Sequence, residues 1–314
     1  ANRKKKSGFS LLRDLTSYIR SLDVDVVHTH NPAPNLWGAM AAFLADVPLR
    51  VSTHHGINKP QLASRKRRWM SRFSSLFCHQ EVTVSKALEI QLKKESLWLA
   101  DGISTIYNGV DIRRFDPAIK SVLQRNDFGI DNDEIIIGSV ARFSDDKDYT
   151  TLIHAFEKIR SQGVAAKLLL VGDGEMRSQI EEQAAKLNFS DDIIFLGQRT
   201  DITDVLSLFD IYVLSTHTEG VSISLLEAMA MQLPVVATAV GGNVEVIESD
   251  VCGFLSNVSD VNSLTDHLMT LCTDKKRGTQ ISLAARDRVE SIFSLGAMVS
   301  SYYHIYIQQN KEAT

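Results

Sequence analysis

Apolar positions along this chain follow two rhythms that take turns. Short runs of apolar and β-branched residues give way to longer stretches with apolar residues three and four apart. Residues 24–29, 49–53, 81–84 and 103–107 read as strands. Residues 11–21, 36–45, 86–94 and a stretch around 65–77 read as helices. A polar stretch over 108–134 has no clear period, contains Pro117 and Gly129, and reads as a linker. The rhythm then restarts, with strands at 135–140, 167–171, 193–196, 211–214 and 234–238. Helices are expected at 149–161, 176–187, 201–208, 243–248, 261–272 and 280–292, with a unit over 219–231 in which a short polar loop leads from the strand at 211–214 into a helix. A last helix over 295–308 carries Met298, Tyr302, Ile305 and Tyr306 at helical spacing. Strands alternating with helices predict an α/β protein with parallel sheets.

Composition adds limits. With 314 residues and a hydrophobic fraction of 44%, the chain can fill two separate cores. No apolar run approaches the roughly 20 residues that span a bilayer, and no secretory signal is visible. Cys78, Cys252 and Cys272 are far apart and form neither a metal spacing nor a disulfide framework. A reducing cytoplasm is the setting this predicts. The net charge of −4 hides an asymmetry: residues 1–108 hold 16 Lys and Arg against 8 Asp and Glu, the remainder 18 against 30. Two bodies with different partners account for that split.

Several residues carry candidate chemistry. Glu227 lies in the apolar, helix-favouring run Leu225-Leu-Glu-Ala-Met-Ala230, where a carboxylate is costly unless hydrogen-bonded. A ribose diol, with two adjacent hydroxyl donors, is a suitable partner. Ser222 and Ile223, at the start of that helix, offer backbone N–H groups to a phosphate. Arg142 and Lys147 follow a strand, at the carboxyl edge where parallel sheets bind ligands, and could hold a diphosphate. The bland reading is a solvated pair balanced by Asp145, Asp146 and Asp148. His55 stands at another strand exit and is suited to a sugar hydroxyl or to developing charge. His28 and His30, in Val27-His-Thr-His-Asn31, end a further strand and are candidates to line an acceptor cleft. Gly172 and Gly174 read as turn glycines. Arg65, Lys66, Arg67, Arg68 and Arg72 form a basic face beside an apolar stripe of Trp69, Phe73, Leu76 and Phe77. That face is either solvated or meets an anionic membrane surface.

The run Glu219-Gly-Val-Ser-Ile-Ser-Leu-Leu-Glu227 resembles the E-x7-E signature of the retaining glycosyltransferase family four. Further matches follow in order: Val51-Ser-Thr-His-His-Gly56, Tyr107-Asn-Gly-Val-Asp111, Val140-Ala-Arg-Phe143 with Lys147, Val171-Gly-Asp-Gly174, Phe195-Leu-Gly197 and Val240-Gly-Gly-Asn243. The resemblance covers nearly the whole chain. It implies a GT-B fold of two facing Rossmann-like domains, with a C-terminal helix crossing back to the first. The expected domains are 1–110 with 295–314 on the acceptor side, and 111–294 for the nucleotide sugar. The implied activity is transfer of a sugar, with retention, from a nucleotide-diphosphate donor to a hydroxyl of a glycan or lipid-linked acceptor. No metal, separate cofactor or nucleic acid is implied.

In that resemblance Arg142 and Lys147 neutralise the departing diphosphate, and His55 rather than His54 is the functional histidine. Glu219 contacts donor-sugar hydroxyls, Gly197 and Arg199 flank the base, and Asn108 belongs to an interdomain loop near the donor. Family members begin with a strand and a Gly-rich loop and more β–α units than are seen here. The first domain is therefore expected to lack two such units, roughly 60 residues. An alternative follows, a nucleotide-sugar-binding module with little turnover. A dinucleotide-dependent dehydrogenase ranks low, because no Gly-x-Gly-x-x-Gly follows a strand with an acid about 20 residues on.

Overall fold

The computed structural model describes residues 8–55, 73–95 and 102–312. Arg65, Lys66, Arg67, Arg68 and Arg72, and most of the helix expected around them, lie outside the described residues. Two compact units divide the chain, one of Ala1–Tyr107 with Met298–Thr314, the other of Asn108–Ala297.

The first unit is a parallel sheet of β1 (Val26–His30), β2 (Leu49–His54), β3 (Gln80–Thr83) and β4 (Ile103–Thr105), in the order β1-β2-β3-β4. Helices α1 (Gly8–Leu22), α2 (Pro32–Leu44) and α3 (Lys86–Glu95) alternate with these strands. On one side Ile19 of α1 packs with Ala41, Ala42 and Val47. On another, Leu49, Val51, Val82 and Ile106 are covered by Met298, Tyr302, Ile305 and Tyr306. Those last four are the apolar stripe of the C-terminal helix, so its spacing translates directly into one buried face. The turn after β1 is tightly held: Asn31, with φ of 74°, donates its N–H to the Thr53 carbonyl at 3.2 Å.

The second unit holds a six-stranded parallel sheet of β5 (Ile135–Val140), β6 (Ala166–Val171), β7 (Ile193–Gly197), β8 (Ile211–Leu214), β9 (Val235–Thr238) and β10 (Phe254–Ser256). Its order is β10-β9-β8-β5-β6-β7, so the chain reverses direction across the sheet between β5 and β8. In doubly wound folds such a reversal opens a crevice outside the carboxyl ends of the strands. The ladder shows it: β5 is paired with β6 over six positions but with β8 only at Ile137–Ile211 and Gly138–Tyr212. The core is built by α4 (Tyr149–Ser161) and α9 (Val261–Thr273) packing Leu152, Phe156, Leu264 and Leu268 onto Leu168, Leu170 and Val213.

Two features depart from the sequence reading. Residues 108–134 are not a free linker. Val110 is bound on both sides to residues 293–295, and Phe115 and Ile130 are buried at 3% and 1% exposure. Arg125 grips the Asp210 carboxylate at 2.7 Å. Isolated anchors of this kind leave no period to read. The strand β10 went unnoticed because three residues, Phe254–Ser256, are too short to show alternation. The loop and helix expected over 219–231 form as loop and then α7 (Ile223–Ala230), which Ser222 caps by accepting the Leu225 N–H. Residues 219–221 are loop. None of the described helices is long and apolar enough to cross a membrane.

Gly138 sits on β5 where the sheet reverses, and a Cβ there would fall 2.0 Å from the ring of Phe209, which is 4% exposed. Gly138→Ala should therefore destabilise the protein by about 1–3 kcal/mol through overpacking. Urea unfolding checks this: the midpoint should fall with the slope unchanged, and an unmoved midpoint would show that the ring yields freely.

Candidate active site

The centre of the second unit's crevice is placed by the two strands that flank the reversal. After β5 the chain runs through Arg142 and Lys147 into α4, whose N-cap Asp148 accepts the Thr151 N–H at 3.1 Å. After β8 it runs through residues 215–222 into α7. The two loops are stitched by backbone bonds, Asp148 N–H to the Ser215 carbonyl at 3.0 Å and His217 N–H to the Asp146 carbonyl at 2.8 Å. The Thr216 hydroxyl adds a bond to the Asp146 carbonyl at 2.8 Å.

This stitching brings Lys147 and Glu219 together. The Lys147 ammonium donates to the Glu219 carboxylate, with Asp146 at 3.5 Å, and the two partners' side chains are only 13% and 18% exposed. A cation so enclosed depends on its counter-charge. Arg142 differs: its side chain is 72% exposed and donates to Glu175 at 2.9 Å. A third loop supports Glu219 from behind. A Cβ on Gly241 would fall 1.8 Å from the Glu219 carbonyl oxygen, and one on Gly242 2.1 Å from that of Gly220. Gly241 also has φ of 51°, so the Gly-Gly pair lets backbone meet backbone there.

Beside the crevice lies a cavity of about 550 Å³ that brings together Arg142, Gly172, Arg199, Ile223 and Glu227. Gly172 borders it where β6 ends, with φ of 142° and no room for a Cβ, which would fall 2.0 Å from the Ala141 carbonyl oxygen. Arg199 is held by Asp201, its Nε donating at 2.9 Å. Ile223 and Glu227 are four apart on α7, hence on one face. Burial pushes the Glu227 carboxyl up to about 7, against a small opposing pull from Arg114. Ser222 is turned inward as the helix cap. Asn108 donates to the Val221 carbonyl at 3.5 Å, which ties it to the loop before α7. Gly197, with φ of 66°, ends β7 and accepts the Gly172 N–H at 2.8 Å.

Ser224, Gln198 and Ile202 also line the cavity. The spacing of Ser224 to Glu227, three residues on one helix, was the available signal for the first. Glu175, which engages Arg142 across 33 positions of sequence, gave none.

In the first unit, His55 lies exposed at the end of β2, its Nε2 2.9 Å from Nδ1 of His30. His54 is instead buried and faces Glu81 at 3.1 Å. Among the described residues no group of three His, Cys, Asp or Glu is arranged to hold a metal ion.

Residues 122–288 match the family described as Glycosyl transferases group 1, and residues 1–114 match Glycosyltransferase Family 4. The chain is 30% identical over 290 residues to the N-acetyl-alpha-D-glucosaminyl L-malate synthase of Bacillus anthracis, covering 90% of this chain and 74% of that one. The chain belongs to the family 4 glycosyltransferases. This glycosyltransferase is also 27% identical over 312 residues to the UDP-Gal:alpha-D-GlcNAc-diphosphoundecaprenol alpha-1,3-galactosyltransferase of Escherichia coli, covering 95% of this chain and 80% of that one. Among solved structures, the Anabaena protein HepE in complex with UDP has the same fold, with a TM-score of 0.85 at 22% identity over 94% of this chain and 81% of that one. The fold of the glycosyltransferase is thus GT-B, built from two Rossmann-like parallel-sheet domains.

A carboxyl raised from 4.5 to about 7 stabilises the folded state only while it is protonated. That contribution is complete below about 4.5 and is lost as pH rises through about 7. Glu227→Gln should therefore raise Tm over the wild type at pH 8, with the difference closing toward pH 4.5. Thermal melts across this range check it; a difference independent of pH would mean that the Glu227 carboxyl is not raised.

Proposed function

We propose that this glycosyltransferase moves a sugar from a nucleoside-diphosphate sugar to a hydroxyl acceptor, with retention and without a metal ion. The observation that carries the reading is the enclosed Lys147–Glu219 pair beside a cavity lined by Glu227 and Arg142. A diphosphate needs positive charge at a strand exit, and Lys147 and Arg142 are the cations there. A ribose needs an acceptor for two hydroxyls, and Glu227 is a half-buried carboxylate without a bonded cation among its described partners. The amides of Ile223 and Ser224 belong to the first turn of α7, where a helix leaves N–H groups without intrahelical acceptors. The names of the compared proteins support the donor class: the E. coli relative uses UDP-Gal, and HepE was crystallised with UDP.

The Lys147–Glu219 pairing suggests an order of events. Lys147 is engaged by Glu219 until a diphosphate arrives. The arriving oxygens then share Lys147, and the Glu219 carboxylate turns to the sugar hydroxyls. As the bond from anomeric carbon to phosphate oxygen breaks, the electron pair stays on the diphosphate, where Lys147 and Arg142 stabilise it. The acceptor hydroxyl attacks from the same face and passes its proton to the departing phosphate. In this reading residues 108–297 hold the donor, and the first unit, with His55, serves the sugar and the acceptor. A glycan or lipid-linked saccharide is the acceptor class, and Arg65, Lys66, Arg67, Arg68 and Arg72 are the sequence-based candidates for contact with anionic lipid.

Calorimetry with nucleoside diphosphates, followed by transfer and donor-hydrolysis assays across nucleotide sugars, tests the reading. Lys147→Ala should weaken diphosphate binding by about 1.5–3 kcal/mol, the worth of a charge-assisted hydrogen bond. Arg142→Ala, at an exposed site, should cost about 1 kcal/mol. Unchanged affinity in both variants would overturn the diphosphate assignment. Binding with no turnover on any donor would favour the binding-module alternative.

Glu219→Gln should separate two effects. It leaves Asp146, at 3.5 Å, as the charged partner of Lys147 among the described residues, so nucleoside-diphosphate affinity should rise by up to about 1 kcal/mol while transfer slows. Weakened diphosphate binding in this variant would show that Glu219 holds the phosphate loop rather than competing for Lys147. Turnover should also persist in EDTA; its loss, with recovery on adding Mg²⁺ or Mn²⁺, would refute metal independence.

A further inference from the structure

Three imidazoles stand in a row at the carboxyl ends of β1 and β2. His28 and His30 are two apart on β1, so both project from one face of the sheet. Their ring centroids are 4.2 Å apart, and those of His30 and His55 are 5.2 Å apart. The row runs from the half-buried His28 to the exposed His55. Its inner end is fixed on both ring nitrogens, Nδ1 2.7 Å from the Tyr306 hydroxyl and Nε2 2.7 Å from Oγ1 of Thr53. Thr53 Oγ1 is in turn 3.0 Å from the Tyr302 hydroxyl. Backbone bonds hold the two strand ends in step, because the Thr53 carbonyl accepts from the Asn31 N–H and from the Asn35 side-chain amide, each at 3.2 Å.

We infer that His30 is a positioning residue for His55. By engaging His55 Nε2 it fixes the ring and its tautomer and leaves Nδ1 as the one ring nitrogen offered to substrate. The inference rests on the proposed role of His55 in sugar transfer. A side chain on a strand end has free rotation unless something holds it, and among the described residues the 2.9 Å contact with His30 holds this one. His30 is backed by the His28 ring, which its own two hydrogen bonds prevent from turning away.

Protonation opposes the arrangement. Adjacent imidazoles cannot all carry charge, and burial together with the neighbouring rings holds His28 down at about 4 and His55 below its ordinary value. Burial lowers His30 as well. Other titratable groups on the packed elements include His54 beside His55 on β2, Glu81 on β3, and Tyr302 and Tyr306 on the terminal helix α11 (Leu295–Glu312). His55 therefore works as a neutral hydrogen-bonding group above its lowered titration point.

The test compares His30→Ala with His30→Asn, since an Asn amide reaches the position of Nδ1. In His30→Ala, kcat should fall about tenfold, short of the roughly 100-fold of a full 1 Å misplacement. Nucleoside-diphosphate affinity should stay unchanged, and His30→Asn should recover most of kcat. Both variants remove a like charge, so the acid limb of the kcat/KM profile should move to higher pH in both. Histidine NMR of the free protein reads the same point without turnover. His55 should show one tautomer in the wild type and a mixture in His30→Ala, with its titration moved upward. Unmoved His55 shifts in His30→Ala would overturn the positioning role. Shifts that move while kcat holds would also overturn it, and a wild type with fixed His55 but no transfer would instead sink the glycosyltransfer role of His55.

Discussion

The second unit's chemistry depends on one constraint, the parting of β5 from β8. Parallel strands that belong to opposite-going halves of a sheet separate at their carboxyl ends, and only two paired positions join these two. Tyr212 spans the parting from fully buried surroundings, its hydroxyl 3.3 Å from the Val140 carbonyl and 2.8 Å from Ser224 Oγ. One side chain thus links the exit of β5, the body of β8 and the first turn of α7. Because the loops after β5 and β8 are also joined by backbone bonds, Lys147 and Glu219 meet within a rigid frame. In the proposed transfer, a cation preorganised in this way needs no rearrangement at the moment that charge develops.

The same frame explains why the two acidic residues of the Glu219–Glu227 run are chemically unlike. Glu219 lies before the helix and is compensated by Lys147, whereas Glu227 lies one turn into α7 with no cation bonded to it among the described residues. The first is paired with a cation, and the second is pushed toward neutrality by burial. A half-buried carboxyl kept without a counter-charge lowers the stability of the empty protein, which is common where a site is shaped for a polar ligand. The Gly241-Gly242 pair belongs to this arrangement too, because only the absence of Cβ atoms lets a third loop brace the Glu219 backbone.

In the first unit the corresponding constraint is the terminal helix. Its apolar stripe closes the core under β2 and β3, and two tyrosines on the same stripe reach the histidine row through His28 and Thr53. Packing and site geometry are therefore carried by one helix face, so a change made to loosen that helix reaches His30 and His55 as well.

Much of this was legible in the sequence. Alternating periods determined the α/β class, both parallel sheets and nearly every strand, because burial on two faces demands runs of apolar residues whatever the neighbours are. The local pattern placed Arg142 and Lys147 at a strand exit, Glu219 in the loop before a helix and Glu227 within that helix, since strand and helix limits are local properties. Only the tertiary structure decided the partners. Nothing local says that Lys147 faces Glu219 across 72 positions, that Arg142 remains exposed beside Glu175, or that His30 meets His55. Such pairs depend on the order of strands in the sheet, and strand order is set by the packing of whole β–α units rather than by any single segment. Residues 108–134 escaped for the same reason. Val110, Phe115 and Ile130 are buried by contacts distant in sequence, and isolated anchors without a period look like a linker until the rest of the chain is folded around them.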